Sequence, residues 1–228
     1  MRINEIFYSI QGEGLLAGMP STFIRTTGCN LRCTWCDTPL TSWNPTGQDM
    51  SIDEICANVD KHPTRYVVIT GGEPMIARDM HKLCHRLKQA EYHITIETAA
   101  TCFTPVRTDL ASLSPKLANS TPHDRDAGKF VQSHEAIRIN VPVIRQFMAN
   151  SDYQLKFVVS EAADLAEIET LINEVGNVDR GRVMLMPEGT DNAELEQKGK
   201  WIAELCKERG FRYCPRLHIA LYGNTPGT

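Results

Sequence analysis

Two short apolar runs, "YVVIT" at Tyr66 to Thr70 and "LKFVVS" at Leu155 to Ser160, constrain the fold more than any other feature of the chain. Both are shorter than a typical helix, rich in β-branched or aromatic residues and almost free of polar ones. That is the pattern of a strand covered on both faces. Further extended candidates are Ile3 to Ile10, Thr22 to Arg25, His93 to Glu97, Leu110 to Leu113, Val183 to Met186 and Arg216 to Leu221. Helical spacing fills several of the gaps. Ser51 and Glu54 form a capping-box pattern with Ile52, Ile55, Cys56 and Val59 on one face, Met80, Leu83, Cys84 and Leu87 repeat the spacing, and Leu195, Ile202 and Cys206 follow it further on. Strands alternating with helices predict an α/β fold with a mostly parallel sheet and right-handed crossovers, closed or partly closed into a barrel. Cys56, Cys84 and Cys206 then read as small core residues. Thr101 to Ser133, with its stretch "ANSTPHDRDAGK", reads as a long surface loop able to cover a site.

At 228 residues one domain, 1–228, is the default, and neither a repeat nor a low-complexity linker divides it. A net charge of −4 argues against a nucleic-acid surface, which ordinarily carries a basic stripe. No apolar run approaches the ~20 residues a membrane span needs, and Met1 to Glu5 lacks a signal-peptide segment. A cytoplasmic protein without membrane partners is the expectation. In that compartment eight cysteines do not imply disulfides.

Three of them crowd into "TGCNLRCTWCDT", Thr27 to Thr38, as Cys29, Cys33 and Cys36. No further cysteine or histidine follows until Cys56 and His62. Structural zinc normally takes four ligands, often as two separated pairs, whereas closely spaced thiolates also suit iron–sulfur clusters. Three ligands would leave one metal corner open, and an iron there can accept a small molecule. Downstream, Gly71-Gly72-Glu73-Pro74 ends the "YVVIT" strand, where paired glycines let a ligand approach backbone. "SPK" (Ser114, Pro115, Lys116) and "MPEG" (Met186, Pro187, Glu188, Gly189) end two other strands, where barrel loops converge. Lys156, a charge inside an apolar strand, is either paired or snorkelling at an edge.

A three-cysteine loop after an apolar strand, with Trp35 directly before its last cysteine, resembles the radical S-adenosylmethionine (SAM) superfamily. The additional blocks "EIFYSIQGEG", "WCDT", "TGGEP", "IET", "SPK" and "HIALYGN" extend from one end of the chain to the other and closely resemble the 7-carboxy-7-deazaguanine synthase family of queuosine and 7-deazapurine biosynthesis. The resemblance implies a partial, modified (β/α)6 radical SAM barrel, with an N-terminal substrate-binding segment at 1–20 and a cluster loop at 28–38. It implies a 4Fe–4S cluster on Cys29, Cys33 and Cys36, SAM on the fourth iron as source of a 5′-deoxyadenosyl radical, and Mg2+ held by Thr38. The implied reaction is ring contraction of 6-carboxy-5,6,7,8-tetrahydropterin with loss of ammonia.

By the same resemblance Trp35, Gly72, Ser114 to Lys116 and Met186 to Gly189 border SAM. Ile10, Gln11, Gly12, Glu13, Arg25, Thr70 and His218 face the pterin, with Arg25 offering its guanidinium fork to the substrate carboxylate. Glu97 either contacts SAM or closes its strand. "IETAA" departs from the family's usual Asn-Gly after "IET", so Ala99 and Ala100 receive no side-chain role, and the ending "LHIALYGNTPGT" leaves open which group near the C-terminus meets the substrate. An electron donor such as flavodoxin and a homodimer are implied as partners. The rival readings are an activating enzyme that installs a glycyl radical in a partner protein, and a zinc-stabilised interaction module.

Overall fold

The computed structural model describes residues 1–228. Nine strands and seven α-helices follow one another as β1 Arg2–Ile10, β2 Pro20–Thr26, β3 Gln48–Asp49, α1 Ile52–Val59, β4 Tyr66–Gly71, α2 Met80–Gln89, β5 His93–Thr98, β6 Leu110–Leu113, α3 Val131–Glu135, α4 Val141–Asn150, β7 Asp152–Val159, α5 Asp164–Val175, β8 Val183–Pro187, α6 Asn192–Arg209, β9 Arg212–Tyr213 and α7 Leu217–Tyr222. All strands join one sheet in the order β3-β1-β2-β4-β5-β6-β7-β8-β9. From β2 to β9 every neighbour is parallel, while β1 is antiparallel to both β2 and β3. No pairing joins β9 to β3, so the curved sheet stays open as a partial barrel around the six longer parallel strands.

The two faces of these strands differ in chemistry because alternate residues point to opposite sides. Ile24, Ile69, Ile96, Leu113, Leu155, Phe157, Val159, Val183 and Leu185 belong to one continuous core of 34 buried residues. Helices cover that outer face: Met80, Leu83, Cys84 and Leu87 of α2 are buried, as are Ile55 and Val59 of α1, whose N-terminus has both hydrogen bonds of the Ser51–Glu54 capping box. Arg25 beside Thr70, Glu97 beside Ser112, and Ser112 beside Gln154 belong to the opposite, inner face. Cys84 and Cys206 are buried core residues and Cys56 packs against the same core.

Two sequence expectations are corrected. Arg216 to Leu221 is a helical turn, α7, where the apolar alternation of Leu217, Ile219 and Leu221 predicts a strand. Only Ile219 of the three is buried, and Pro215 separates the segment from the short strand β9, so alternation there reflects no two-sided sheet environment. The stretch around 118–129 is also no plain surface loop. Ser120 and Thr121 are buried, and the Ser120 carbonyl accepts the Thr34 N–H at 2.8 Å, which ties this stretch to the cysteine loop.

Candidate active site

The inner face of the sheet and the loops after its strands enclose a cavity of about 480 Å³, a size typical of small-molecule sites. Cys29, Cys33 and Cys36 line it from the loop that follows β2. That loop is held from several sides. The Gly28 N–H donates to the Thr41 carbonyl at 2.9 Å, the Trp43 indole N–H donates to the Cys33 carbonyl at 3.0 Å, and the Trp35 indole N–H donates to the Asn119 carbonyl at 3.0 Å. Behind it, His134 Nδ1 accepts the Arg32 N–H at 3.2 Å while Nε2 lies 2.8 Å from Ser120 Oγ, whose proton goes to the Leu117 carbonyl at 2.7 Å. The ring is therefore neutral with its proton on Nε2, and burial pushes its pKa down to about 4. In the metal-free chain, burial raises the Cys29 thiol to about 11 and the Cys33 thiol to about 12.

The "GGEP" turn packs directly against the loop. A Cβ on Gly72 would lie 2.1 Å from the Gly28 carbonyl oxygen and 2.8 Å from Cys29 Cβ, so no side chain fits there. Glu73 is fully buried beneath it and accepts from Thr98 Oγ1 at 2.7 Å, the Ala99 N–H at 2.9 Å and the Met75 N–H at 3.0 Å. Burial raises its pKa even so. The turn thus clamps the cysteine loop to the end of β5.

The floor comes from the segment between β1 and β2. Ile10 pairs with Pro20, at the end of β2 opposite the cysteine loop, and the following residues cross the inner face. Gln11 Nε2 donates to Glu97 Oε1 at 3.0 Å, and Thr70 Oγ1 donates to Glu97 Oε2 at 2.9 Å. Glu13 is ion-paired with Lys156 and, at 3.2 Å, with Arg216 Nε. Burial alone would raise the Glu13 pKa, but Lys156, Arg216 and His218 together hold it well below the usual carboxylate range. Lys156 is correspondingly shifted up, its own burial outweighed by Glu13. Gly12 has no room for a side chain either, since its Cβ would meet His218 Nδ1 at 1.9 Å. Arg25 pairs with Glu5 at 2.7 Å and sits 5.4 Å from the Phe7 ring, itself stacked on Phe23. Asp37 accepts from Thr38 Oγ1 at 3.1 Å and from Arg216, and the Arg216 guanidinium holds its carboxyl below the usual range.

Of the residues expected at the site, Ile10, Gln11, Gly12, Glu13, Arg25, Cys29, Cys33, Trp35, Cys36, Thr38, Thr70, Gly72, Ser114, Lys116, Met186 and His218 share this cavity. Pro115, Pro187, Glu188 and Gly189 do not line it. Pro115 is buried and Glu188 is paired with Lys198 at 2.7 Å. Sequence reasoning passed over Asp37, Ser112, Arg216 and Glu5, all on the cavity wall, and gave Lys156 no site role. Asp37 stands inside "WCDT", and Arg216 immediately precedes "LHIALYGN", so motif adjacency was the available signal. The tail from Gly223 to Thr228 also lines the cavity.

An open parallel barrel with a three-thiol loop directly after its first parallel strand defines a radical SAM enzyme, and residues 23–119 match the family model of the Radical SAM superfamily. Along its length the chain is 47% identical to the 7-carboxy-7-deazaguanine synthase of Halobacterium salinarum, covering 99% of this chain and 92% of that one. It is 41% identical to the 7-carboxy-7-deazaguanine synthase of Rhodopirellula baltica, over 99% and 88% of the two chains. The crystal structure of QueE from Escherichia coli superposes with a TM-score of 0.70 at 25% identity, covering 95% of this chain and 94% of that one. The chain belongs to the 7-carboxy-7-deazaguanine synthase family.

Proposed function

We propose that the chain is a radical SAM lyase that converts 6-carboxy-5,6,7,8-tetrahydropterin to 7-carboxy-7-deazaguanine with loss of ammonia, in queuosine and 7-deazapurine biosynthesis. The observation that carries this reading is the union in one cavity of the three-thiol loop and a polar inner wall, in a chain alike from end to end to enzymes of that name. The donor set fits a 4Fe–4S cluster, because three closely spaced thiols stand on one loop, whereas structural zinc ordinarily takes four ligands. Cluster and SAM together supply the one-electron chemistry that begins hydrogen abstraction.

The remaining work falls to the chain's own side chains. Cys29, Cys33 and Cys36 hold the iron. Gly72 presents backbone to the SAM amine, Ser114 and Lys116 face SAM from the end of β6, and Trp35 and Met186 border it. Gln11, Glu13 and Thr70 offer acceptors and donors to the pterin edge, with Ile10 and Gly12 beneath it and His218 beside it. Arg25 exchanges Glu5 for the substrate carboxylate, and the salt bridge it already makes keeps its fork aimed from β2. Thr38 offers a hard oxygen to Mg2+, which takes few protein ligands and would hold the same carboxylate. A compact, polar cavity of this kind favours an acidic small molecule over the protein segment that a glycyl-radical activating enzyme must admit. An electron donor such as flavodoxin, a homodimer and a cytoplasmic location belong to this reading; no helix is long and apolar enough to cross a membrane.

Anaerobic incubation of the reconstituted protein with SAM, reductant, Mg2+ and 6-carboxytetrahydropterin, followed by mass analysis, tests the function. Carboxydeazaguanine is the expected product, and its absence with the cluster intact rejects the reading. For the Mg2+ role, Thr38→Ala should raise the Mg2+ concentration needed for half-maximal rate; wild-type activity with an unchanged metal response sinks that assignment.

A further inference from the structure

Arg216 stands at the start of α7 with its side chain 8% exposed, and its guanidinium spends every nitrogen on a different segment of the cavity wall. Nε donates to Glu13 Oε1 at 3.2 Å on the floor segment, one terminal nitrogen donates to the Gly189 carbonyl at 2.5 Å beyond β8, and the other pairs with Asp37 on the cysteine loop. Glu13 continues to Lys156 on β7, and Asp37 accepts from Thr38 Oγ1 at 3.1 Å. Lys156, Glu13, Arg216, Asp37 and Thr38 therefore form one unbroken chain from the middle of the sheet to the two residues that follow Cys36. Two carboxylates answer two cations along it, and Glu13, 13% exposed between Lys156 and Arg216, is the member both buried cations share.

We propose that Arg216 is a positioning residue that fixes the exit of the cysteine loop relative to the floor segment, and so sets the distance between the SAM side and the pterin side of the cavity. The proposal rests on the function assigned above. The planar fork is what qualifies arginine: it bridges acceptors lying in three directions at once, whereas a lysine at this place offers a single ammonium that satisfies the floor or the loop. Reactions that depend on a near-attack geometry lose rate steeply with small displacements. The loss should appear as uncoupling, because SAM still binds and is still cleaved while the hydrogen to be taken is displaced.

The test compares wild type with Arg216→Lys, Asp37→Asn and the double variant, each reconstituted anaerobically. Expected are wild-type iron content and SAM affinity, a fall of about tenfold or more in product turnover, and a raised ratio of 5′-deoxyadenosine released to product formed. The double variant should be no worse than the poorer single, since both break the same link. Hydrogen exchange without substrate supplies a readout apart from turnover: amides of residues 37, 38, 40–42 and 12–15 should exchange faster in Arg216→Lys. Asp37→Asn is nearly isosteric and keeps the pairing of Arg216 with Glu13, so it decides the matter if Arg216→Lys folds poorly. Additive losses, or a wild-type product ratio and exchange pattern in Asp37→Asn, overturn the proposal. Wild-type protein that makes no carboxydeazaguanine in the same experiment rejects the function instead, and is thereby distinguished.

Discussion

Gly72 and His134 show how single residues act on the cysteine loop without donating a ligand. An alanine at residue 72 would press its Cβ onto the Gly28 carbonyl, a backbone atom that no rotamer change relieves. Gly72→Ala should therefore displace the loop and lower iron per protein after reconstitution, at a cost of about 1–3 kcal/mol in unfolding free energy; iron analysis and denaturant titration check both. His134 is neutral when folded, with its pKa near 4, but protonates near 6.5 when unfolded. Between those values the unfolded chain binds the extra proton, so stability falls as pH drops from about 6.5 towards 4. His134→Asn, which cannot titrate, should lose less stability than wild type between pH 7 and pH 5, by on the order of 2 kcal/mol. Urea titrations at the two pH values measure the difference. Neither role was legible in sequence: "GGEP" announced a close approach but not its partner, and a lone histidine in "QSHEA" carried no pattern at all.

The elements were largely legible, and the exception is instructive. Strands β4 and β7 are continuous apolar runs because their outer faces pack on helices, but the inner face admits Thr70 and Lys156, which one polar position in an apolar run only hints at. The parallel order followed from alternation with helices. α7 did not, because its six residues bury a single side chain and its alternation mimics a strand. Ile219, 1% exposed, is that side chain, and it anchors the helix that bears Arg216 and His218. Ile219→Ala should cost about 2–5 kcal/mol locally, raise KM for the pterin and leave iron content unchanged. Steady-state kinetics beside iron analysis separate this outcome from general unfolding.

In the whole molecule, the site is assembled from segments that no local pattern brings together. The cysteine loop, the floor between β1 and β2, and the "SPK" turn could be named from motif resemblance, while the ionic chain through Arg216 depends on three-dimensional closure. The sheet is open between β9 and β3, and residues 223–228 add to the cavity wall. A chain shortened after Tyr222 should keep its iron and SAM affinity but bind the pterin more weakly, seen as a raised KM; unchanged KM would remove the tail from the wall. The same closure has a consequence for biogenesis. The Glu13 contact with Arg216 spans 203 residues and that of the Gly14 N–H with Cys214 Sγ spans 200. Contacts of such long sequence separation form late in folding. During synthesis the cysteine loop emerges early and waits, with its floor unlocked, until the segment bearing Cys214 and Arg216 has followed it from the ribosome. Iron delivered before then would meet a loop still missing one of its restraints.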